Sequence, residues 1–264
     1  MQKKFPLVSI LITNYNKKKY LKKMLNSCVN QSYKNKEIIF YDDASSDDSL
    51  SIVKEYKSIK IIKNKSKKYK SGPLNQINGI IECFKKSKGE LIFLLDSDDC
   101  FKKDKLEKIS KVISNNNEYK FIQDTPVEIN GLKKVKLKRK NHFFSIWPQF
   151  YPTSSITIRR KFFSEFLPYL KKNSFEDLEV DARLVIFAYI KKEFRYIEKS
   201  YTYYNNHMEG ITSDYKKYSL NWWKKRNDAF QYMFNLMKKF NIKIKKSPDY
   251  FLTKLIIFLL VKNS

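Results

Sequence analysis

The chain has 264 residues, 42% of them hydrophobic, and its 20 Phe and 18 Tyr supply ample material for a core. This composition argues against disorder and suffices for one large α/β domain, or for a core domain with a smaller appended part. The formal net charge is +27, but only six of the 54 basic residues are arginine. A lysine-rich, arginine-poor composition is typical of an AT-biased genome, which is the first explanation of the charge. Attraction to an anionic membrane or substrate ranks second, and binding to nucleic acid ranks third.

The first 95 residues alternate between short apolar runs and amphipathic segments. This pattern predicts four strands joined by three helices with short connections, which is typical of a parallel sheet covered on both faces. The predicted strands are 8–12, 37–41, 59–63 and 91–95, and the predicted helices are 18–31, 48–56 and 74–86.

The pattern changes after residue 99. It predicts strands at 119–123, 127–129 and 154–158, helices at 103–115 and 175–189, a basic loop at 133–140 and a polar aromatic loop at 201–215. The chain is helical in pattern from residue 220 and ends in the apolar segment 250–261. We expect a core at 1–125, a second region at 126–215 and a helical extension at 216–264.

Acidic residues follow two of the predicted strands. Asp42 and Asp43 end the second strand, and the run Asp96-Ser97-Asp98-Asp99 ends the fourth. Because parallel strands end at the same edge of a sheet, both clusters should face one crevice, where open α/β sheets bind ligands. Clustered carboxylates call for a cation, and a divalent ion with oxygen ligands is the usual one. Neither G-x-G-x-x-G nor a P-loop is present, which counts against dehydrogenases and P-loop enzymes.

The chain resembles glycosyltransferase family 2, whose members use nucleotide-sugar donors and have the GT-A fold. The resemblance covers roughly the first 110 residues and lies in segments 8–16, 27–33, 37–47, 72–79 and 88–99. Segment 88–99 resembles the Asp-x-Asp block of the family, and Glu176-Asp177 resembles its acceptor-side pair. The resemblance implies a Rossmann-like α/β core with a mostly parallel twisted sheet, a smaller acceptor-side region and C-terminal helices.

The resemblance also implies roles for individual residues. Asp98 would hold Mn²⁺ or Mg²⁺ on the donor diphosphate, and Asp177 would be the general base that activates the acceptor hydroxyl. His207 is a candidate contact to the diphosphate or metal, with a surface loop as the favoured alternative. The remaining nucleotide-binding candidates are Thr13, Asn14, Tyr15, Asp42, Asp43, Asn78, Asp96 and Ser97.

These residues predict an inverting, metal-dependent glycosyltransferase that moves one sugar from a nucleotide-diphosphate sugar, with UDP first, to a glycan or lipid-linked acceptor in cell-surface polysaccharide synthesis. The Gln-x-x-Arg-Trp block of processive synthases is absent, so transfer of a single sugar is expected. The alternative is a basic nucleic-acid-binding protein without enzymatic activity.

The three cysteines show no disulfide or metal spacing, which favours a cytoplasmic protein. We expect it to act at the inner face of the membrane, on a growing surface glycan or a lipid-linked intermediate. The lysine-rich surface and segment 250–261 suggest peripheral contact with an anionic membrane. The other interpretation, a helix that closes the core, is favoured.

Overall fold

The structure is a computed structural model that describes residues 6–138, 146, 148–170, 174–206 and 215–262. Within these residues the main sheet has seven strands in the order β10-β6-β9-β4-β1-β2-β3. Its strands are β1 (Val8–Asn14), β2 (Lys36–Asp42), β3 (Ile59–Lys63), β4 (Leu91–Asp96), β6 (Phe121–Asp124), β9 (Ile156–Arg159) and β10 (Phe194–Ile197).

The sheet is mostly parallel, as the sequence predicts. β1 pairs in parallel with β2 and β4, β2 with β3, and β10 with β6, whereas β9 runs antiparallel to β4 and β6. Strands from both sides of residue 125 therefore belong to one sheet.

Helices cover both faces of this sheet because its strands are apolar on both faces. Along β1, Ile10 and Ile12 belong to one core cluster and Leu11 to the other, which is the period-two alternation of a strand. One face is covered by α1 (Lys18–Val29), α2 (Ser49–Lys54) and α4 (Lys105–Asn115); the other is covered by α3 (Gly72–Lys86), α5 (Arg160–Leu170), α6 (Val180–Ile190) and α7 (Leu220–Lys239).

A second, four-stranded sheet lies where two loops were expected. Its order is β5-β11-β7-β8, and its strands are β5 (Cys100–Phe101), β7 (Val127–Asn130), β8 (Lys133–Lys136) and β11 (Thr202–Asn205). The predictions of loops at 133–136 and 202–205 were wrong. β8 is exposed along its whole length and lysine-rich, so it has no apolar alternation for the sequence to reveal.

Segment 175–179 is not helical, contrary to prediction. Phe175 has φ +69° and Glu179 is an extended residue before α6, so Glu176 and Asp177 lie in a turn before the helix. The sequence pattern of this segment continues that of α6, which is why a helix was predicted. A residue in the left-handed conformation, such as Phe175, cannot continue a right-handed helix.

The C-terminal segment forms α8 (Pro248–Lys262), which packs on α7. Only Tyr250 and Thr253 of α8 are buried, and most of its apolar residues are exposed. The favoured expectation that this segment closes the core is therefore wrong. None of the helices within the described residues has both the length and the apolar character needed to cross a bilayer.

Candidate active site

The ends of three parallel strands bring the predicted site residues together. Thr13 at the end of β1 lies opposite Tyr41 on β2 and Asp96 on β4. The residues that follow open into a cleft of about 380 Å³ at this edge of the sheet. The sequence-predicted residues that line this cleft are Thr13, Asn14, Tyr15, Asp43, Asp96, Ser97 and Asp98.

Asp42 and Asn78 lie behind the cleft rather than in its wall. Asp42 is fully buried and accepts hydrogen bonds from the side chain of Asn14 at 2.9 Å and the backbone N–H of Ser45 at 3.0 Å. Asn78 donates to the Tyr41 hydroxyl at 3.1 Å. Asp42 therefore shapes the turn that presents Asp43, and Asn78 orients Tyr41, which lines the cleft.

The Asp96–Asp99 turn is held in place by hydrogen bonds from three other elements. The backbone N–H of Asp96 donates to the Ser154 hydroxyl at 3.0 Å, and Gln76 of α3 donates to the Asp96 carboxylate at 2.6 Å. The Asn205 backbone N–H of β11 donates to Asp99 at 2.8 Å, and its side chain donates to the Asp98 carbonyl. The direction of the carboxylates is thus set by the tertiary structure.

A buried ion pair supports this turn from behind. The Lys105 ammonium is 2.7 Å from the Asp124 carboxylate, and both side chains are fully buried. Lys105 also donates to the Ser154 carbonyl at 2.7 Å and to the Thr202 hydroxyl at 2.6 Å. The network connects α4, β6 and β11 to Ser154, whose hydroxyl binds the backbone of Asp96. Two buried charges are tolerable here because each is paired and hydrogen-bonded.

The cleft is strongly acidic, and its carboxylates repel one another. Burial, followed by the charges of Asp98 and Asp181, raises the pKa of Asp96 to about 8. Burial, with Asp98 and Asp96, raises the pKa of Asp99 well above its usual range. Burial, then the charge of Glu179, raises the pKa of Asp181 to about 7. A cation bound here would remove this repulsion.

Two lysines supply positive charge among the described residues of the cleft wall. The Lys17 ammonium is 3.0 Å from the Asp98 carboxylate, and the Lys67 ammonium lies 3.3 Å from the centre of the Tyr15 ring. Both lysines line the cleft and could reach an anionic ligand bound there. The sequence analysis did not identify either lysine, since 48 lysines give no means of choosing two.

The residues around Asp98 fit a divalent ion that is shared with a substrate. Asp99 Oδ2 is buried with no hydrogen-bond partner among the described residues, and the charge of Asp98 helps to raise the pKa of both Asp96 and Asp99. Within the described part of the chain, however, no cluster of three or more His, Cys, Asp or Glu side chains has metal-binding geometry. Such a site suits Mg²⁺ or Mn²⁺ held by one or two carboxylates and completed by phosphate oxygens and water.

The acidic residues that line the cleft just before and within α6 are not the ones predicted from the sequence. Asp177 is exposed and is not one of the residues lining the cleft, and its charge acts on Asp228 of α7. Glu179 and Asp181 line the cleft instead, and Lys225 of α7 forms an ion pair with Glu179. His207 lies outside the described residues.

Other cleft residues were missed by the sequence analysis. Asn75 and Gln76 lie on the first turn of α3, and Tyr204 and Asn205 on β11. The resemblance of segment 72–79 to the family indicated that α3 matters as a whole, but it did not single out Asn75 or Gln76. β11 was read as a loop, and no signal in the sequence brought it to Asp98.

A mostly parallel sheet whose strands end in an acidic cleft is the architecture of the GT-A glycosyltransferases, and solved structures of that class share the fold. A sequence model described as "Glycosyl transferase family 2" matches residues 9–179. The match covers more than half of the chain, which therefore belongs to glycosyl transferase family 2.

Curated glycosyltransferases are similar in sequence to part of this chain. An Escherichia coli protein, UDP-Glc:alpha-D-GlcNAc-diphosphoundecaprenol beta-1,3-glucosyltransferase WfaP, is 41% identical over 95 residues, covering 35% of this chain and 36% of that protein. Matches to seven other curated glycosyltransferases cover 15% to 57% of the length of those proteins, so the chain spans only part of its relatives.

Two groups of solved structures share the fold. S. aureus TarS 1-349 in complex with UDP-GlcNAc has a TM-score of 0.64 at 16% identity, over 95% of this chain and 70% of that one. The mannosyltransferase PcManGT from Pyrobaculum calidifontis, in complex with GDP-Man and Mn2+, has a TM-score of 0.56 at 15% identity, over 97% of this chain and 69% of that one.

Proposed function

We propose that this protein transfers a single sugar from a nucleotide-diphosphate sugar to a hydroxyl group of a glycan or lipid-linked acceptor, with inversion. The observation that carries the proposal is the meeting of Asp43, Asp96 and Asp98 in one cleft of about 380 Å³. Membership of glycosyl transferase family 2 supports transfer of a sugar, and counts against the alternative of a nucleic-acid-binding protein without enzymatic activity.

In this proposal, Thr13, Asn14, Tyr15 and Asp43 bind the nucleoside, and Asp96 and Ser97 lie beside its ribose. Asp98 holds a divalent cation, which stabilises the charge of the leaving diphosphate when bound. Lys17 lies 3.0 Å from Asp98 and would neutralise the same charge. UDP is the favoured nucleotide; WfaP is named for UDP-Glc, and TarS binds UDP-GlcNAc.

The acceptor hydroxyl needs a carboxylate within hydrogen-bond reach. The resemblance implies Asp177, whereas Asp181 is the carboxylate at the start of α6 that lines the cleft. Both remain candidates for the base. The acceptor named for WfaP is a diphosphoundecaprenol-linked sugar, and a lipid-linked acceptor at the cytoplasmic face of the membrane fits this proposal.

Thermal-shift measurements with UDP, GDP, dTDP and CMP, each with and without Mn²⁺, test the donor and the metal. We expect UDP with Mn²⁺ to raise the midpoint most, by roughly 5–10 °C at saturating ligand. Asp98→Asn should lose the part of the shift that depends on Mn²⁺.

The matched control is Asp48→Asn, which changes a carboxylate whose side chain is 66% exposed, on the surface. This variant should retain the full shift. A wild-type protein that binds none of these nucleotides, or binds them with no gain from Mn²⁺, would contradict the proposed donor site.

A further inference from the structure

Within the described residues, the exposed large apolar side chains are concentrated on α8. Seven of the fourteen that are exposed lie on α8, and the others are scattered or lie just before it. The α8 apolar surface consists of Phe251, Leu252, Leu255, Phe258, Leu259 and Val261, each 48% to 63% exposed. A soluble monomer rarely exposes such a contiguous patch, so something covers it.

The attachment of α8 leaves this surface free. Its first turns pack on α7, where Tyr250 contacts Phe230 and Phe234 with ring centres 5.3 and 5.2 Å apart. Arg226 donates to Asp249 at 2.7 Å and to Thr253 at 3.2 Å. These contacts hold one side of the helix, and Phe251, Leu255 and Phe258 repeat at i, i+4 and i+7 on another.

The charge around α8 is positive. Between residues 238 and 262 there are seven lysines and one acidic residue, Asp249, which is paired with Arg226. Lys238 and Lys239 end α7, and Lys243, Lys245 and Lys246 precede α8; all five are exposed. Along the chain, the apolar surface is therefore preceded by exposed lysines for which the described residues provide no ion-pair partner.

We propose that α8 docks the protein on an anionic membrane by inserting its apolar surface into one leaflet. Acyl chains would cover the apolar residues, and anionic headgroups would pair with the neighbouring lysines. A second copy of the chain fits less well, because two copies that each carry a formal net charge of +27 repel each other. The fifteen described residues of α8 extend about 22 Å, and in this proposal they lie within one leaflet of the bilayer.

The cleft and the docking helix are joined through α7. Lys225 pairs with Glu179 in the cleft wall, and the next residue, Arg226, binds Asp249 and Thr253 of α8. A membrane bound at α8 would therefore lie one helix away from the acceptor side of the cleft. This inference goes beyond the proposed transfer, which by itself requires no membrane.

Flotation with lipid vesicles tests the proposal without any donor or acceptor. The wild-type protein should float with vesicles of phosphatidylcholine and phosphatidylglycerol at low salt, and much less with phosphatidylcholine alone or at high salt. The variant Phe251→Ser/Leu255→Ser/Phe258→Ser should bind about tenfold less or weaker still. Its matched control, Leu132→Ser/Val135→Ser, removes exposed apolar side chains elsewhere and should bind like wild type.

Charge reversal provides a second test that leaves α8 unaltered. Lys243→Glu/Lys245→Glu/Lys246→Glu should weaken binding on the order of 100-fold. The control Lys19→Glu/Lys22→Glu/Lys23→Glu reverses three exposed lysines of α1 and should have a far smaller effect. Each variant is checked for cooperative unfolding.

Three outcomes would overturn the inference. They are a wild-type protein that floats with neither type of vesicle, equal losses in the variants and their controls, and a dimer in solution that the α8 variant abolishes without any vesicle binding. Because nucleotide thermal shifts are measured separately, a failure of membrane docking is distinguishable from a failure of the proposed function.

Discussion

At the scale of single residues, carboxylates crowd the cleft and the turn behind it, where burial and then the charges of neighbouring carboxylates raise the pKa of Asp96 and Asp99. Asp96, Asp98, Asp99 and Asp181 all contribute to the charge that acts on Tyr204, whose pKa is raised first by burial and then by these residues. Such crowding costs stability in the absence of a bound cation, which is common where a site is built for function. A cation bound at these carboxylates would relieve the crowding.

The two base candidates differ in their surroundings and can be separated by substitution. If Asp181 is the base, Asp181→Asn should slow the release of UDP from the nucleotide sugar that binds best, with water as acceptor, by about 10²–10⁴-fold. The rate of the wild-type enzyme should then rise with pH through about 7, because the pKa of Asp181 is raised to about 7 and the charged form is the base.

Asp177→Asn is the matched substitution four residues away. If Asp181 is the base, this variant should retain most of the activity, since Asp177 is exposed outside the cleft wall. Both variants should keep the nucleotide thermal shift. The opposite result, with Asp177→Asn inactive and Asp181→Asn active, would assign the base to Asp177.

At the scale of elements, α3 positions the cleft by its close approach to the sheet. A Cβ on Gly79 would lie 2.6 Å from a ring atom of Tyr41 and 2.9 Å from the Thr13 methyl group. Glycine at this helical position therefore permits the distance at which Gln76, one turn earlier, bonds to Asp96.

Gly79→Ala should destabilise the protein by about 1–3 kcal/mol, because the added methyl group forces Tyr41 and Thr13 to move. Nucleotide binding should weaken as well, since both neighbours line the cleft. Chemical denaturation and nucleotide titration measure the two effects. The control Lys85→Ala, on the exposed side of the same helix, should change neither the free energy of unfolding nor that of nucleotide binding by more than about 0.5 kcal/mol. A Gly79→Ala protein as stable as wild type would contradict the prediction, because it would show that Tyr41 and Thr13 move without cost.

At the scale of the whole molecule, the acidic cleft connects global stability to pH. The pKa of Asp96 is raised to about 8 and that of Asp181 to about 7, both above the values of an unfolded chain. The folded protein therefore holds protons that the unfolded chain has lost between about pH 4 and 8. Its stability is greatest at the acid end of this window and declines as pH rises through 7 and 8.

We expect the metal-free protein to lose up to about 1.4 kcal/mol per pH unit for each such group between pH 6 and 8. Urea denaturation with EDTA measures this slope, and Mn²⁺ should stabilise more at pH 8 than at pH 6. The double variant Asp96→Asn/Asp181→Asn should flatten the slope, whereas Asp48→Asn on the surface should preserve it. A metal-free protein that becomes more stable over this range would contradict the raised pKa values.

Sequence patterns predict most of the main sheet because its strands and helices carry strong local signals. Apolar runs such as 91–95 are buried on both faces, and the amphipathic segments beside them can form only helices that cover those faces. The strands ending at Asn14, Asp42 and Asp96 were placed to within two residues. Their parallel arrangement then brought Asp43 and Asp98 to one edge.

Weaker signals account for the elements that were mispredicted. β11 is a short strand whose pairing partners, β5 and β7, are distant in the chain, so its conformation depends on the second sheet rather than on local propensity. β8 pairs with the adjacent strand β7, but its exposed, lysine-rich sequence carries no apolar alternation. The exposure of α8 could not be inferred either, because an apolar segment reads the same whether it is buried in a core or exposed on a surface.

The sequence by itself determined the α/β class, the parallel order of the first strands and the carboxylates at their ends, since each of these follows from local pattern and strand direction. Only the tertiary structure decided which polar and charged side chains share the cleft. Lys17, Gln76, Asp181 and Asn205 reach Asp96 and its neighbours from separate elements, and such contacts between distant segments leave no periodic trace in the chain.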